Sequence, residues 1–160
     1  MTAETRMKNA FKEFCAYFDG RNLKYTTEET ESGNYKISIS GKGSDLTMNF
    51  SIFFDIKNEL ISLLSQMPFD FDKEKVVEGA LACAIVSDSL REGSFDFNIQ
   101  NGRVFYRLTN TVEGMTVSRE LCAHIFEIST YTVDKYNDKL FMVAKGAMSP
   151  QEFYNTVNGK

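Results

Sequence analysis

The side chains able to do covalent, acid–base or metal chemistry are few in this chain and lie far apart. There is one histidine, His124, between Ala123 and Ile125, and there are three cysteines, Cys15, Cys83 and Cys122. Catalysis by Cys122 with His124 as base would need the two side chains to converge. Both fall in a helical stretch, where neighbouring positions point about 100° apart, so they diverge. Each cysteine also sits beside apolar residues at helical spacing, which reads as buried packing. Three cysteines without a C-x-x-C pair match neither a disulfide framework nor a structural zinc site.

The acidic groups read no more chemically. The run Glu28-Glu29-Thr30-Glu31 lacks the alternating oxygen ligands and closing bidentate glutamate of a calcium loop, and reads as a solvated strand end. Asp70 and Asp72 precede a helix, where a carboxylate caps free N–H groups. Gly41-x-Gly43 joins two strands and carries no Gly-Lys-Ser/Thr, unlike a phosphate-binding loop. The residues therefore predict no catalytic centre, no cofactor and no metal site, and the expectation is a protein that is not an enzyme.

Composition bounds the remaining classes. The 160 residues suit one domain, spanning 1-160, that buries roughly 70% of its extended-chain surface. With 42% apolar and 25% charged residues the chain is not globally disordered, and 14 Phe and 7 Tyr supply core material in the absence of Trp. The 18 Lys and Arg against 22 Asp and Glu give a net charge of -4. No excess positive field is left for phosphates or anionic lipid, so neither nucleic acid nor a membrane is an expected partner. Met1 to Lys8 mixes charges and lacks an apolar h-region, and no uncharged run approaches the ~20 residues of a membrane span. The expectation is a cytoplasmic chain without a secretory signal.

Periodicity lays out the elements that must position any contact. From Glu4 to Phe18, the residues Met7, Ala10, Phe11, Phe14, Cys15 and Phe18 recur every three or four positions, and Gly20 follows as a C-terminal cap, which predicts a helix. Leu23, Tyr25 and Thr27 alternate, Ser32-Gly33-Asn34 turns, and Tyr35, Ile37 and Ile39 alternate again, which predicts a hairpin. Leu46, Met48, Phe50, Ile52 and Phe54 mark a long strand with one core face. Glu59 to Gln66 predicts a fourth strand, although Leu60, Ile61, Leu63 and Leu64 do not alternate cleanly, and Pro68 is expected to break it. Asp72 then N-caps a second helix running through Ser89, with Phe71 and Val76 as a hydrophobic staple. Gly79, Ala82 and Cys83 keep one side of that helix thin, so something packs close against it.

Asn101-Gly102 tolerates the positive φ angles of a two-residue type I′ turn between strands Ser94 to Gln100 and Arg103 to Asn110. That turn places Ile99 opposite Val104, Phe97 opposite Tyr106 and Phe95 opposite Leu108 on the core face. On the other face Asp96 meets Arg107 and Asn98 meets Phe105. Thr116 or Ser118 caps a long helix reaching about Lys145, on the order of 40 Å. Its apolar residues form two rows, one with Leu121, Ile125 and Ile128, the other with Cys122, Phe126, Val133, Tyr136, Leu140 and Val143. Two rows imply either a bend near Thr130 to Val133 or burial of one row in a partner. Gly146 ends the helix, and Ser149-Pro150-Gln151-Glu152 is a capping box opening a short last helix.

Phe53 and Phe105 fall on the polar side of their strands, among Asn49, Ser51, Arg103, Arg107 and Thr109. An aromatic on a polar face marks a contact, or a surface covered by one of the long helices, and both readings stand at this level. Together with Asn98 and Arg107, these two form the candidate partner-binding set.

The order of helix, antiparallel strands, helix, Asn-Gly hairpin and long helix resembles the type III secretion chaperone fold. More narrowly, the chain is similar to the YbjN family, described as candidate bacterial sensory transduction regulators. The segments carrying the likeness are Leu60 to Pro68 with the helix from Asp72, and Glu92-Gly93-Ser94-Phe95-Asp96-Phe97 leading to Asn101-Gly102-Arg103-Val104-Phe105-Tyr106-Arg107. They continue in Tyr136-Asn137-Asp138-Lys139-Leu140 and in Gly146 to Phe153. Helix two departs from both groups in lacking an Asn near its middle or end.

The expected fold is α+β, an antiparallel sheet packed by helices in the order α-β-β-β-β-α-β-β-α-α. What the resemblance implies is a non-enzymatic regulatory or protein-binding module that forms a homodimer and contacts an unidentified protein partner. The hairpin Ser94 to Asn110 and the thin helix are the expected association surfaces. A secretion-chaperone-like role, binding an extended segment of a partner, is the first alternative, and a small-ligand sensor the second.

Overall fold

The structure is a computed structural model and describes residues 1–159. The elements follow the predicted order: α1 (Ala3–Gly20), β1 (Tyr25–Glu29), β2 (Tyr35–Lys42), β3 (Thr47–Asp55), β4 (Leu60–Asp70), α2 (Val76–Asp88), β5 (Ser94–Asn98), β6 (Arg103–Thr111), α3 (Arg119–Ala144) and α4 (Pro150–Val157). All strands join one antiparallel sheet of order β1-β2-β3-β4-β6-β5. Among the described residues no helix is long and apolar enough to cross a membrane.

Strand periodicity decides which side of the sheet the helices take. Ile37, Ile39, Phe50, Ile52, Phe54, Ile61, Leu63, Val104, Tyr106 and Leu108 share one parity across their registers, and all are buried. Helix α1 packs Phe14 edge-on against Phe54, with centroids 5.6 Å apart. Helix α3 sets Phe126 at 5.6 Å from Phe50, Tyr136 at 6.2 Å from Phe95 and Phe141 at 5.4 Å from Phe69. Each such aromatic contributes about 1.5–3 kcal/mol by leaving water, and the edge-to-face geometry adds to that. One apolar row of α3 packs along the chain's own core, Phe126 against α1 and β3 and Tyr136 against β5, while in the other row Ile125 is buried and Leu121 and Ile128 are partly buried against the core. Helix α3 runs as one uninterrupted helix of 26 residues, about 39 Å.

The helix ends are built as their residues require. Thr2 and Ser118 each accept a hydrogen bond from the backbone N–H three residues on, and Ser149 with Glu152 forms a reciprocal capping box. Of the two expected caps for α3, Ser118 takes the role. Asp72 stands before a 3₁₀ turn, Lys73–Lys75, and its side chain makes no capping hydrogen bond, so α2 proper begins later than expected.

Two local expectations are corrected. Pro68 does not break β4, which continues to Asp70. The pairing of β3 with β4 ends at Ser51 and Leu64, and the β4–β6 register shifts between Gln66 and Asp70, so Pro68 sits in an irregular stretch where its missing N–H costs little. The β5–β6 hairpin is not a two-residue turn: Asn98 pairs with Arg103, Phe97 with Val104 and Phe95 with Tyr106. The register differs from the expected one by two positions, which keeps each side chain on its expected face but moves Ile99 out of the core into the loop, 67% exposed.

The cause is tertiary. Gly102 has φ +72°, its carbonyl accepts from Phe71 N–H at 2.9 Å, and a Cβ there would collide with the Phe71 carbonyl. Docking on Phe71 therefore fixes the loop, while the Asn98 carbonyl and side chain accept from Gly102 and Gln100 N–H at 2.8 and 2.9 Å. Gly114 has a similar φ of +69° but open space around it. Gly114→Ala should cost about 1 kcal/mol from backbone strain alone, and Gly102→Ala about 3 kcal/mol or more because overpacking adds to it; urea titration compares the two.

A second long-range tie joins α1 to the β3–β4 turn. Arg6 donates from Nε to Glu59 Oε2 at 2.7 Å and from a terminal nitrogen to Oε1 at 2.9 Å. Glu59 occupies left-handed backbone at φ 49°, held by this fork and by Val112 N–H bonding to its carbonyl. The hydrogen bond from Arg6 holds the Glu59 carboxyl below its ordinary value. A depressed folded-state value means the stabilisation is full above the unfolded carboxylate range, near pH 4.3, and is lost as pH falls below it. Glu59→Gln should flatten the acid limb of stability measured by urea melts between pH 3 and 7.

Candidate functional site

The residues able to do chemistry are kept apart. Cys83 and Cys122 are buried, and desolvation pushes both thiols up to about 12; Cys15 is partly buried and raised for the same reason. None supplies thiolate at neutral pH. His124 is exposed on α3 and bonds through Nε2 to Glu92 at 2.8 Å, on another side of the helix from buried Cys122. This is a surface pair. Gly43 lies in the β2–β3 turn against Asp134, whose carboxylate accepts from Ser44 N–H and Oγ at 2.7 Å each, so Gly43 serves a turn docked on an acid while Gly41 stays in strand β2. Glu28 on the edge strand β1 pairs with Lys36 on the neighbouring β2 at 3.6 Å. Among the described residues no group of three or more His, Cys, Asp or Glu side chains is placed to hold a metal ion.

The sheet's other face is where an unusual arrangement occurs. Residues of the outward parity are chiefly small and polar: Ser38, Ser40, Asn49, Ser51, Ser62, Gln66, Thr109 and Thr111. Among them Phe53 on β3 and Phe105 on β6 are half-buried, and no helix covers either. Two shallow depressions beside them, of about 470 and 490 Å³, are lined by strand residues alone. The reading of Phe53 and Phe105 as a helix-covered surface is thereby removed.

The registers show what sequence reasoning missed. Phe53 pairs with Ser62 and Phe105 with Gln66, so Leu64 lies between them on β4, diagonal to both. Phe53, Leu64 and Phe105 form an oblique apolar ridge across three strands. The signal was present in the imperfect alternation of Leu60, Ile61, Leu63 and Leu64: a strand apolar on both sides has something to cover on both sides. Two of the cations flanking the ridge are paired, while Arg103, beside Phe105 on the same face, is exposed and makes no ion pair among the described residues. Lys36 bonds Glu28 and stands 5.7 Å from the Phe53 ring centroid, while Arg107 Nε donates to Asp96 at 2.7 Å. Arg107 thus meets Asp96 as expected, though diagonally, since Asp96 pairs with Phe105 in the ladder. Asn98 lies off the ridge in the hairpin, its Oδ1 engaged in the turn.

The thin side of α2 has an occupant within the chain. A Cβ on Gly79 would overlap the Phe97 ring, and Ala82, Cys83 and Val86 are buried. The outer side of α2 exposes Val77 at 78% and Leu81 at 47%. The β5 edge of the sheet is closed by the same helix: Ser87 Oγ accepts from Phe95 N–H at 2.8 Å and donates to the Phe95 carbonyl at 3.2 Å. Strand addition at β5 is blocked there, and β1, with exposed Glu28 and Glu29, is the open edge.

These elements define an α+β protein with one antiparallel sheet, four helices on one face and a bare second face. The same architecture occurs in the crystal structure of YbjN from E. coli, described as a candidate transcription regulator, which superposes with a TM-score of 0.58 at 13% identity over 85% of this chain and 93% of that one. The likeness is one of fold. No family model and no curated protein sequence matches the chain.

Ser87→Ala removes both bonds from the β5 edge. The expected loss is about 1–2 kcal/mol in urea titration, with faster hydrogen exchange at the Phe95 amide; unchanged exchange would show that the edge is closed by other means.

Proposed function

We propose that this protein is a non-enzymatic, cytoplasmic regulatory module that works by binding another protein, with the bare sheet face as its contact surface. The observation supporting this most directly is the ridge of Phe53, Leu64 and Phe105, half-buried on the helix-free face among mostly short polar side chains. Together with Leu60 beside it on the same face, the ridge puts four large apolar groups on a chiefly polar surface, and a surface of this kind is retained where a partner covers it. Lys36 and Arg107 are paired with Glu28 and Asp96, leaving Arg103 the unpaired cation nearest Phe105, which suits a protein surface better than a run of phosphate groups. The fold likeness to YbjN supports a regulatory role in preference to a catalytic one.

A secretion-chaperone-like role gains less support. It calls for an open sheet edge, and the edge at β5 is closed by Ser87, leaving only the acidic β1 strand.

The test is affinity capture from cytoplasmic extract at low and high salt, with the mass of the recovered complex determined. The wild type should bring down a near-stoichiometric partner, and a Phe53→Ser/Phe105→Ser variant should lose at least tenfold of it with an unchanged melting temperature. Equal recovery by the variant would contradict the reading.

A further inference from the structure

A cleft between the loop that follows α2 and the middle of α3 forms a site separate from the bare sheet face. We infer that it binds a small anion with a compact apolar body, of the aryl carboxylate class.

The space is of the right kind. A depression of about 300 Å³ lies between residues 89–92 and the α3 side chains of Ile128, Tyr131, Thr132, Lys135 and Tyr136. Thr132 and Tyr136 are buried and form its floor, Leu90 and Ile128 are partly buried walls, and Tyr131 stands exposed at the rim. That volume is at the small end of the range for ligand sites, roughly 300–1,000 Å³, and suits a molecule of about ten heavy atoms.

The loop side of the cleft is held in place from two directions. Gly93 has φ +75°, and a Cβ there would strike the Tyr106 hydroxyl, which donates to the Glu92 carbonyl at 3.4 Å. On the outside His124 Nε2 holds the Glu92 carboxylate at 2.8 Å. A site built in advance spends little of its binding energy on ordering.

Charge decides what fits. Arg91 and Lys135 both line the cleft, and neither makes an ion pair among the described residues. Lys135 Nζ stands 5.7 Å from the Tyr131 ring centroid and 5.2 Å from that of Tyr136, which positions the ammonium and leaves its charge without a carboxylate. The acceptors nearby are already engaged. Glu92 is the one carboxylate in the lining, and His124 holds it. At the end of α2 the Val86 carbonyl accepts from Ser89 Oγ at 2.6 Å, and the Ser87 carbonyl accepts from Leu90 N–H at 3.1 Å. Asp88, three residues before Arg91, lies outside the lining and forms no ion pair with it. In a chain of net charge -4, two cations lining one cleft without a counter-charge call for an anion. Leu90, Ile128 and the Tyr131 ring call for an apolar body attached to it.

The experiment is a proton–nitrogen NMR titration of the purified full chain. Benzoate is the probe, benzamide its uncharged analogue, and inorganic phosphate the anion without an apolar body. Benzoate should bind with a dissociation constant at or below about 1 mM, an attainable value for so small a ligand, and should move the amide signals of residues 90–92 and 131–135. Benzamide and phosphate should bind at least tenfold more weakly. Arg91→Ala and Lys135→Ala should each weaken benzoate at least tenfold with an unchanged melting temperature, since both side chains are exposed. Phe105→Ser on the sheet face should bind benzoate as the wild type does. The inference is overturned if benzoate moves no signal at about 10 mM, if benzamide or phosphate binds as tightly, or if binding survives an Arg91→Ala/Lys135→Ala double variant. Signals shifting elsewhere, or binding lost with Phe105→Ser, would place the ligand at another site and overturn it as well. None of these outcomes bears on capture of a protein by the sheet face, so the two readings stand or fall separately.

Discussion

Every strand divides its side chains between two faces, and four helices can cover only one of them. This alternation governs the rest of the molecule. Burial of Ile52, Phe54, Leu63 and Tyr106 beneath α1 and α3 fixes which parity points inwards, and a slip of one residue in any register would turn those side chains out to water. The outward parity is then set as well. Phe53, Leu64 and Phe105 face the helix-free side and stay half-buried because their neighbours along the chain are buried in the core, so the candidate contact surface is a consequence of the core.

The ties that hold this arrangement are long in sequence. Arg6 with Glu59, Ser44 with Asp134, Gly102 with Phe71 and Ser87 with Phe95 each fasten a turn, an edge or a helix to another element. Two of them also restrict what the protein can bind. Ser87 closes the β5 edge, which disfavours strand addition there. The Asp134 carboxylate fills the space against Gly43, which makes the glycine-containing turn unfit for an anion.

Helix α1 was legible because Met7, Ala10, Phe14 and Phe18 repeat at helical spacing with nothing competing, and the last helix because its capping box is local chemistry. The hairpin was legible in its existence and faces but not in its loop, since Asn101-Gly102 satisfies a two-residue turn locally while the docking of Gly102 on Phe71 is a contact across the fold. Pro68 misled for a related reason: whether a proline ends a strand depends on whether a neighbour needs its N–H, and β3 has already parted from β4 at Leu64. The small residues of α2 announced a close approach without naming Phe97 as the group that makes it. Phe53 and Phe105 stood out as aromatics among polar neighbours, whereas Leu64, which joins them into a ridge, was hidden in a strand apolar on both faces.

The central claim is that the bare sheet face is a surface this protein covers when it associates. Hydroxyl-radical footprinting read out by mass spectrometry, on the protein alone and in its captured complex, tests it at the side chains themselves. The account predicts that labelling of Phe53, Leu64 and Phe105 falls together in the complex, while Val77 and Leu81 on α2 label equally in both. Constant labelling of the ridge, with protection appearing instead at Val77 and Leu81, would contradict it.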